Sequence, residues 1–303
     1  MGLLRLLGIG DRDLPGDAAA PVREQMLASL LVMAWVVEAR DPYTGGHLWR
    51  VSRFSELLAR HAGLSAHETA YIAVGGFLHD LGKVAIPDAI LRKPGRLSGD
   101  EYAVIKTHPE VGYRMLAGHP LERLAADAIR LHHETPDGRG YPDGLTGAEI
   151  PRVARIVGVC DAFDALTSSR PYRSGMPVEQ ALAIIREDIG RQFDGEYGEL
   201  LLKLGNDGAL LHIVGHSDVG IPLECCAMCG PTLVLRRTSR AGDSLFCRNC
   251  GGEYRLEAGD GGHLKAVPTG AKGSAAELKP EADRELVARF VHETAKRALP
   301  LAA

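Results

Sequence analysis

The residues best suited to metal chemistry in this sequence are histidines and aspartates in apolar surroundings. Five of them close or interrupt apolar segments: His79, Asp80, His132, His133 and Asp161. A buried carboxylate without a positive partner would be costly, and a divalent cation surrounded by imidazoles removes that cost. We therefore interpret these residues as one buried, metal-centred hydrolytic site.

The adjacent pair His79-Asp80 has a specific use, because a carboxylate can bridge two cations while its neighbour binds one. Two cations about 3.5–4 Å apart can hold a hydroxide that is aimed at an electrophile such as phosphorus. Aspartate and histidine donors without thiolates suit Fe, Mn, Zn or Ni. His47 and His108, which lie at predicted helix ends or turns, are further candidate ligands. Lys83 could neutralise a phosphate oxygen, with a solvated lysine as the alternative.

The composition predicts an ordinary globular protein. Of 303 residues, 45% are apolar and 24% are charged, and the net charge of -4 comes without a basic run, which argues against nucleic-acid binding. The longest apolar run, residues 26–37, is too short to cross a bilayer. The first residues contain no secretory signal. We expect a cytoplasmic protein without membrane contact.

Helical spacing of apolar residues recurs along the chain without an alternating strand pattern, which predicts a mainly α fold. Ser-x-x-Glu capping boxes at Ser65 and Ser98 mark two helix starts, and Gly82 is interpreted as a helix stop. The apolar face of the last helix (Leu286, Phe290, Val291) could support a homodimer. The predicted divisions are a loose leader (1–22), a helical domain (23–209), a small β-rich module (210–257), a linker (258–279) and a C-terminal helix (280–303).

Four cysteines form two Cys-x-x-Cys pairs, Cys226 with Cys229 and Cys247 with Cys250. Each pair turns tightly enough for both sulfurs to face one ion, and two pairs make a closed tetrahedral thiolate site. The spacing predicts one structural zinc in a module that resembles a zinc ribbon. Redox chemistry is the alternative, and Cys225 could replace Cys226 as a ligand.

A longer series of motifs resembles the HD-GYP phosphodiesterases over about residues 24–205. The matching strings, in chain order, are Asp41-Pro42-Tyr43-Thr44-Gly45-Gly46-His47, His79-Asp80-x-Gly82-Lys83, Ile86-Pro87-Asp88, Lys93-Pro94-Gly95, Lys106-Thr107-His108-Pro109, His132-His133-Glu134-x-x-Asp137-Gly138-x-Gly140-Tyr141-Pro142, Asp161-Ala162-Phe163-Asp164-Ala165-Leu166-Thr167 and Arg170-Pro171-Tyr172-Arg173.

The resemblance implies an HD-type helical bundle that hydrolyses cyclic di-GMP to pGpG, GMP or both, through a metal-bridging hydroxide, in bacterial second-messenger signalling. By position, the first metal would have the ligands His47, His79, Asp80 and Asp161. Asp80 would bridge to a second metal, whose other ligands would be His108, His132 and His133. Members with a third metal carry a glutamate where this sequence has Tyr43, so two metals, Fe or Mn before Zn or Ni, are expected.

The same resemblance implies residues on the substrate side. They are Lys83, Arg170, Arg173, Gly140, Tyr141 and Pro142, with structural ion pairing as the alternative role of the two arginines. The Gly140-Tyr141-Pro142 loop or the ribbon could also bind protein partners. Glu134 could orient a histidine or be a loop carboxylate.

Two alternatives to this activity stay open. The first is hydrolysis of another cyclic dinucleotide, such as cyclic GMP-AMP, or of another phosphoester. The second is a non-catalytic receptor or scaffold that binds cyclic di-GMP and signals through the ribbon and the last helix.

Overall fold

The structure is a computed structural model that describes residues 16–41, 44–93, 95–169, 175–230, 232–279 and 281–298. In these ranges the helices are α1 (Gly16–Glu38), α2 (His47–His61), α3 (Ala66–Leu78), α4 (Asp88–Leu91), α5 (Gly99–Ile105), α6 (His108–Leu116), α7 (Ala126–Leu131), α8 (Arg152–Thr167), α9 (Val178–Glu187), α10 (Gly195–Asn206) and α11 (Arg284–Ala298). A 3-10 turn, Leu81–Ala85, follows α3. No helix in the described part of the chain is both long and apolar enough to span a bilayer.

One apolar core joins the helices, as the mainly α prediction requires. In α1 and α2 its buried members recur at helical spacing: Leu27, Leu30, Leu31, Ala34, Leu48, Val51, Phe54 and Leu58. Both predicted capping boxes are present, with Ser65 paired to Glu68 and Ser98 paired to Glu101. Helix α10 is an additional helix that was not identified from the sequence.

A small antiparallel module lies between α10 and α11, and we call its strands β1–β7 and their turns the ribbon. The strands are β1 (His216–Asp218), β2 (Ile221–Pro222), β3 (Glu224–Cys225), β4 (Thr232–Leu233), β5 (Ser244–Phe246), β6 (Gly252–Ala258) and β7 (Leu264–Lys272). They pair as β1 with β2, β3 with β4, and β5-β6-β7. The β-rich prediction for this region is confirmed.

Three boundaries differ from the sequence-based expectations. Helix α1 begins at Gly16 rather than after residue 22, because the alanines at 18–20 favour helix. The predicted linker 258–279 contains β7, whose Leu264–Ala258 and Lys265–Glu257 pairs extend the antiparallel ladder of β6. Helix α11 begins at Arg284 and not at 280, because the Asp283 carboxylate accepts a hydrogen bond from the Leu286 amide at 3.0 Å.

The apolar face of α11 packs inside the chain, which corrects the reasoning behind the homodimer. Leu286, Phe290 and Val291 are 7%, 2% and 7% exposed, and they belong to the same core as the helices that precede the ribbon. The Phe290 ring lies 5.0 Å from the ring of Phe77 in α3. This face is therefore occupied by α1 and α3 and does not offer a surface to a second copy.

Candidate functional site

The structure brings all seven predicted ligands together, and we call them the His/Asp centre. They come from helix ends or from one helix interior, where the backbone is rigid: His47, His79, Asp80, His108, His132, His133 and Asp161. Within three overlapping groups of these residues, the donor atoms lie within 4.8 Å of one another. All but His133 and Asp161 are buried.

The Asp80 carboxylate faces two sides of this centre. Its Oδ2 lies 3.5 Å from His47 Nε2 and 3.4 Å from His79 Nε2. Its Oδ1 lies 3.4 Å from His108 Nε2, on the side of the centre that also contains His132. The two oxygens of one carboxylate thus point to two separate sets of imidazoles, which is the geometry that a bridging ligand needs.

The imidazoles are oriented by backbone carbonyls. Nδ1 of His79, His108 and His132 lies 2.8 Å from the carbonyl oxygens of residues 76, 105 and 128, respectively. Because a carbonyl only accepts, each Nδ1 carries the proton, and each neutral ring turns the Nε2 lone pair inward. Nε2 of His108 and Nε2 of His132 are 3.4 Å apart, and buried Nε2 of His79 has no hydrogen-bond partner among the described residues. Lone pairs that face each other in this way fit a divalent cation between them.

The electrostatics favour neutral imidazoles at His108, His132 and His133 and a charged carboxylate at Asp80, which is the state that binds metals. Burial lowers the pKa of His108 to about 3 and of His133 to about 4, and it lowers the pKa of His132 as well. Burial alone would raise the pKa of Asp80, but the positive charge of Lys83 holds it well below its usual value.

His47 has a second contact that the sequence analysis did not predict. Its Nδ1 lies 2.8 Å from Asp164 Oδ2, and the Arg50 guanidinium contacts the same carboxylate, with Nε 2.6 Å from Oδ1. Burial alone would lower the pKa of His47, but the carboxylates of Asp164 and Asp80 raise it to about 9. The spacing in the sequence could have indicated this contact. Arg50 follows His47 by three residues, and Asp164 follows Asp161 by three residues, which is about one helical turn in each case.

The predicted substrate-side residues lie partly at this centre. Lys83 Nζ is 2.6 Å from Asp80 Oδ2, and the Tyr141 ring stacks on His133 with centroids 4.7 Å apart. Gly140 and Pro142 flank Tyr141 in the same loop. Lys106 Nζ, which was not predicted as a site residue, lies 4.7 Å from the centre of the Tyr141 ring. Arg170 and Arg173 lie outside the described residues, as does Tyr43.

Glu134 serves the loop and not a histidine. Its Oε1 accepts hydrogen bonds from the amides of Asp143 at 2.6 Å and Gly144 at 3.2 Å, and its Oε2 accepts one from Leu145 at 3.0 Å. Both oxygens are engaged, and the side chain is buried. Of the two roles considered for Glu134, the structure therefore supports the loop carboxylate.

The predicted helix stop at Gly82 is wrong, since Gly82 lies inside the 3-10 turn.

The four cysteines of the ribbon form a second group, which we call the cysteine cluster. The Sγ atoms of Cys226 and Cys229, of Cys229 and Cys247, and of Cys226 and Cys250 are each 3.6 Å apart. This spacing is too long for disulfides and close to the edge of about 3.8 Å of a tetrahedron with Zn–S bonds of about 2.3 Å. Cys225 is exposed and is not part of this group.

Comparison with known proteins agrees with this geometry. The HD domain family model matches residues 31–197. The cyclic di-GMP phosphodiesterase response regulator RpfG of Xanthomonas campestris is 44% identical over 184 residues, 60% of this chain and 49% of the relative. A 3'3'-cGAMP-specific phosphodiesterase 3 of Vibrio cholerae is 36% identical over 63% of this chain and 42% of its own length. A cyclic di-GMP phosphodiesterase of Thermotoga maritima is 40% identical over 58% of this chain and 48% of its own length.

The chain thus spans less than half the length of each of these three relatives. The family match, by contrast, covers more than half of this chain and includes all seven residues of the His/Asp centre. The chain therefore belongs to the HD domain family, in agreement with the HD-GYP motifs of its sequence.

Proposed function

We propose that this protein is a metal-dependent phosphodiesterase that hydrolyses cyclic di-GMP to pGpG, GMP or both. The observation that carries the proposal is the Asp80 carboxylate, whose two oxygens face two sets of inward-turned imidazole Nε2 atoms. The names of relatives from Xanthomonas and Thermotoga support the same substrate.

In this proposal His47, His79, Asp80 and Asp161 would hold one divalent cation, Fe or Mn. His108, His132 and His133, together with Asp80, would hold a second. When bound, the pair would polarise the phosphodiester and lower the pKa of a nearby water molecule. The neutral imidazoles of His108 and His133 and the charged carboxylate of Asp80 supply donors without first losing protons, whereas His47, whose pKa is about 9, would release a proton when a cation binds.

The remaining residues would bind and orient the substrate. Lys83 Nζ lies beside Asp80 and is 27% exposed in its side chain, so it can also contact a non-bridging phosphate oxygen. The Tyr141 ring, held between His133 and Lys106, forms a wall on which a base or a ribose could pack. Arg170 and Arg173 stay predicted substrate contacts. Glu134 is not the acid for the leaving oxygen, because the loop amides use both of its carboxylate oxygens.

A second candidate substrate is 3'3'-cGAMP. The relative from Vibrio cholerae that is 36% identical carries that substrate in its name. Both dinucleotides present the same phosphodiester to the His/Asp centre and differ in one base, so the base contacts decide between them.

The test uses protein purified without chelator and supplied with Mn or Fe(II). Cyclic di-GMP and 3'3'-cGAMP are each incubated with this protein and with Asp80→Ala, and the nucleotides are separated by chromatography. Release of pGpG or GMP by the unaltered protein alone supports the proposal, and faster turnover of 3'3'-cGAMP would favour the second candidate. Binding of intact cyclic di-GMP without any turnover would contradict hydrolysis and favour a receptor.

A further inference from the structure

The ribbon packs directly against the turn that precedes His47. Gly45 lies in this turn, and a Cβ added to it would be 2.3 Å from Val234 Cγ2 and 3.5 Å from Thr232 Cγ2. A separation of 2.3 Å is too short for two carbon atoms, so a side chain at residue 45 would force Val234 or the turn to move. The ribbon therefore contacts the backbone that immediately precedes a predicted metal ligand.

Arg50 joins the ribbon to the same ligand through a chain of hydrogen bonds. Its Nη1 donates to the Gly45 carbonyl and to the His216 carbonyl of β1, both at 3.0 Å. Its Nε and Nη2 donate to the two carboxylate oxygens of Asp164 at 2.6 and 3.1 Å. Asp164 in turn holds His47 Nδ1 at 2.8 Å. One guanidinium thus connects β1, the turn and the carboxylate that orients His47.

The hydrogen-bonded connection from β1 to His47 is buried from water. Arg50 is 1% exposed and Asp164 is fully buried, so each lost hydrogen bond would leave a polar atom without water to replace its partner. On the ribbon side, Ser217 Oγ donates to the Leu235 carbonyl at 3.2 Å, which ties β1 to the segment that follows β4. Leu233 of β4 packs in the small core around Cys226 and Cys247. The cysteine cluster therefore stabilises the segment that contacts Gly45 and β1.

We propose that the zinc-loaded ribbon positions His47 through Arg50 and Asp164, so that zinc in the cysteine cluster sets the affinity of the His/Asp centre for its catalytic cation. Arg50 is a positioning residue in this account, and the ribbon is a zinc-dependent clamp on the helical domain. The effect on hydrolysis rests on the proposed function, whereas the effect on cation affinity does not.

The first test removes a cysteine ligand from the full chain. Cys247→Ser is compared with Cys225→Ser, its control, because Cys225 is exposed and lies outside the cluster. Mn(II) binding is titrated by electron paramagnetic resonance of the free ion, and circular dichroism checks the helix content. Loss of outer contacts to a metal ligand typically weakens binding 10–100-fold, so we expect the Mn(II) dissociation constant of Cys247→Ser to rise by at least about tenfold. An unchanged constant despite loss of zinc would overturn the proposal.

The second test keeps the zinc and disturbs only the contact. Gly45→Ala should clash with Val234 and weaken Mn(II) binding by about tenfold, through displacement of the turn and of His47. Val234→Ala removes the clashing methyl group and alone should change binding less than twofold. The double variant should recover most of the lost affinity. Absence of this recovery would show that Gly45 acts through something other than the ribbon.

The third test addresses the link itself. Arg50→Lys keeps the positive charge beside Asp164 but cannot reach its two oxygens and two carbonyls at once. We expect weaker Mn(II) binding with zinc retained at one ion per chain, and no further loss when Cys247→Ser is added. Additive losses would mean that the ribbon acts on the His/Asp centre by another route. If Mn(II) affinity responds as expected but no variant or parent turns over cyclic di-GMP, the proposed function fails and the clamp stands.

Discussion

The His/Asp centre takes its side chains from five helices or helix ends between residues 47 and 161, whereas the cysteine cluster takes four thiols from two turns within residues 226–250. The thiols form a closed set, as in structural zinc sites. The His/Asp centre has Lys83 and Tyr141 at its edge, and Asp161 there is 20% exposed in its side chain. The comparison teaches that one site needs a whole helical core to assemble, while the other needs only a small sheet.

The largest effect is expected from a change at the Asp80 carboxylate, which faces both imidazole sets and has no counterpart in the cysteine cluster. Asp80→Asn keeps the shape of the side chain but removes the charge between the two imidazole sets. Turnover of cyclic di-GMP should fall by about a thousandfold or more. Loss of one electrostatic contact to a transition state typically lowers kcat by about 10²–10³, and Asp80 contacts both imidazole sets. Metal analysis should still find one zinc per chain. Retained turnover would contradict the role of Asp80, and lost zinc would contradict the independence of the cysteine cluster from it.

The next effect tests how closely the helices must approach. A Cβ on Gly82 would lie 1.9 Å from the His108 carbonyl oxygen and 2.5 Å from the Gly112 amide nitrogen. Gly82→Ala must therefore push α6 away from the 3-10 turn, at a cost of about 3 kcal/mol in the free energy of unfolding. Denaturant unfolding measures that cost, and Mn(II) titration should show weaker binding through His108. Gly99→Ala is the control, because a Cβ there meets nothing within 4 Å. Equal stability of both variants would contradict the close packing.

A third prediction concerns the pH dependence of the cation-free His/Asp centre. The folded pKa values of His108 and His133, about 3 and 4, lie below the ordinary value of 6.5, so stability is lost as the pH falls below 6.5. His47 has a raised pKa of about 9, so its contribution is complete below pH 6.5 and is lost as the pH rises through 9.

We therefore expect the melting temperature of the cation-free protein to be highest near pH 6.5. It should fall more steeply on the acid side, where several buried histidines titrate and each costs about 1–2 kcal/mol by pH 5. Differential scanning calorimetry across pH 5–9 measures this curve, with zinc analysis to confirm that the cysteine cluster is still loaded. A melting temperature that rises steadily from pH 6.5 to pH 5 would contradict the burial of neutral imidazoles.

The smallest expected effect is at the substrate edge. Lys106→Met removes the cation above the Tyr141 ring but keeps much of the packing, and such exposed contacts contribute about 0.5–1 kcal/mol. The KM for cyclic di-GMP should rise about threefold with kcat and Mn(II) affinity unchanged. Lys93→Met, which breaks an ion pair with Glu101, serves as the control. A large fall in kcat would assign Lys106 a role in the reaction itself.

The two regions also differ in the kind of sequence pattern that predicted their ligands. The cysteine cluster follows from local spacing, because Cys-x-x-Cys places two sulfurs together wherever the turn lies. The seven residues of the His/Asp centre are far apart in the chain, and their motif order identified them even though no single spacing brings them together. The mainly α fold, the capping boxes and the ribbon were likewise predicted from local patterns.

What the sequence could not predict depends on contacts between distant segments. In the sequence, nothing distinguishes Arg50 from other arginines on helices. Its partners, the His216 carbonyl and Asp164, are more than a hundred residues away in the chain and contact it only in the folded protein. Strand β7 lies within the glycine- and alanine-rich stretch 258–279, and only its pairing with β6 identifies it as a strand. The apolar face of α11 is typical of any amphipathic helix, and the sequence does not say whether its own core or a second copy covers it.

The most direct measurement is anomalous diffraction from crystals of the full chain grown with Mn(II). The account predicts two manganese peaks about 3.5–4 Å apart, one on each side of the Asp80 carboxylate, and one zinc peak at the centre of the cysteine cluster. A single peak that Asp80 does not bridge, or two peaks that leave His108, His132 and His133 without metal, would contradict it.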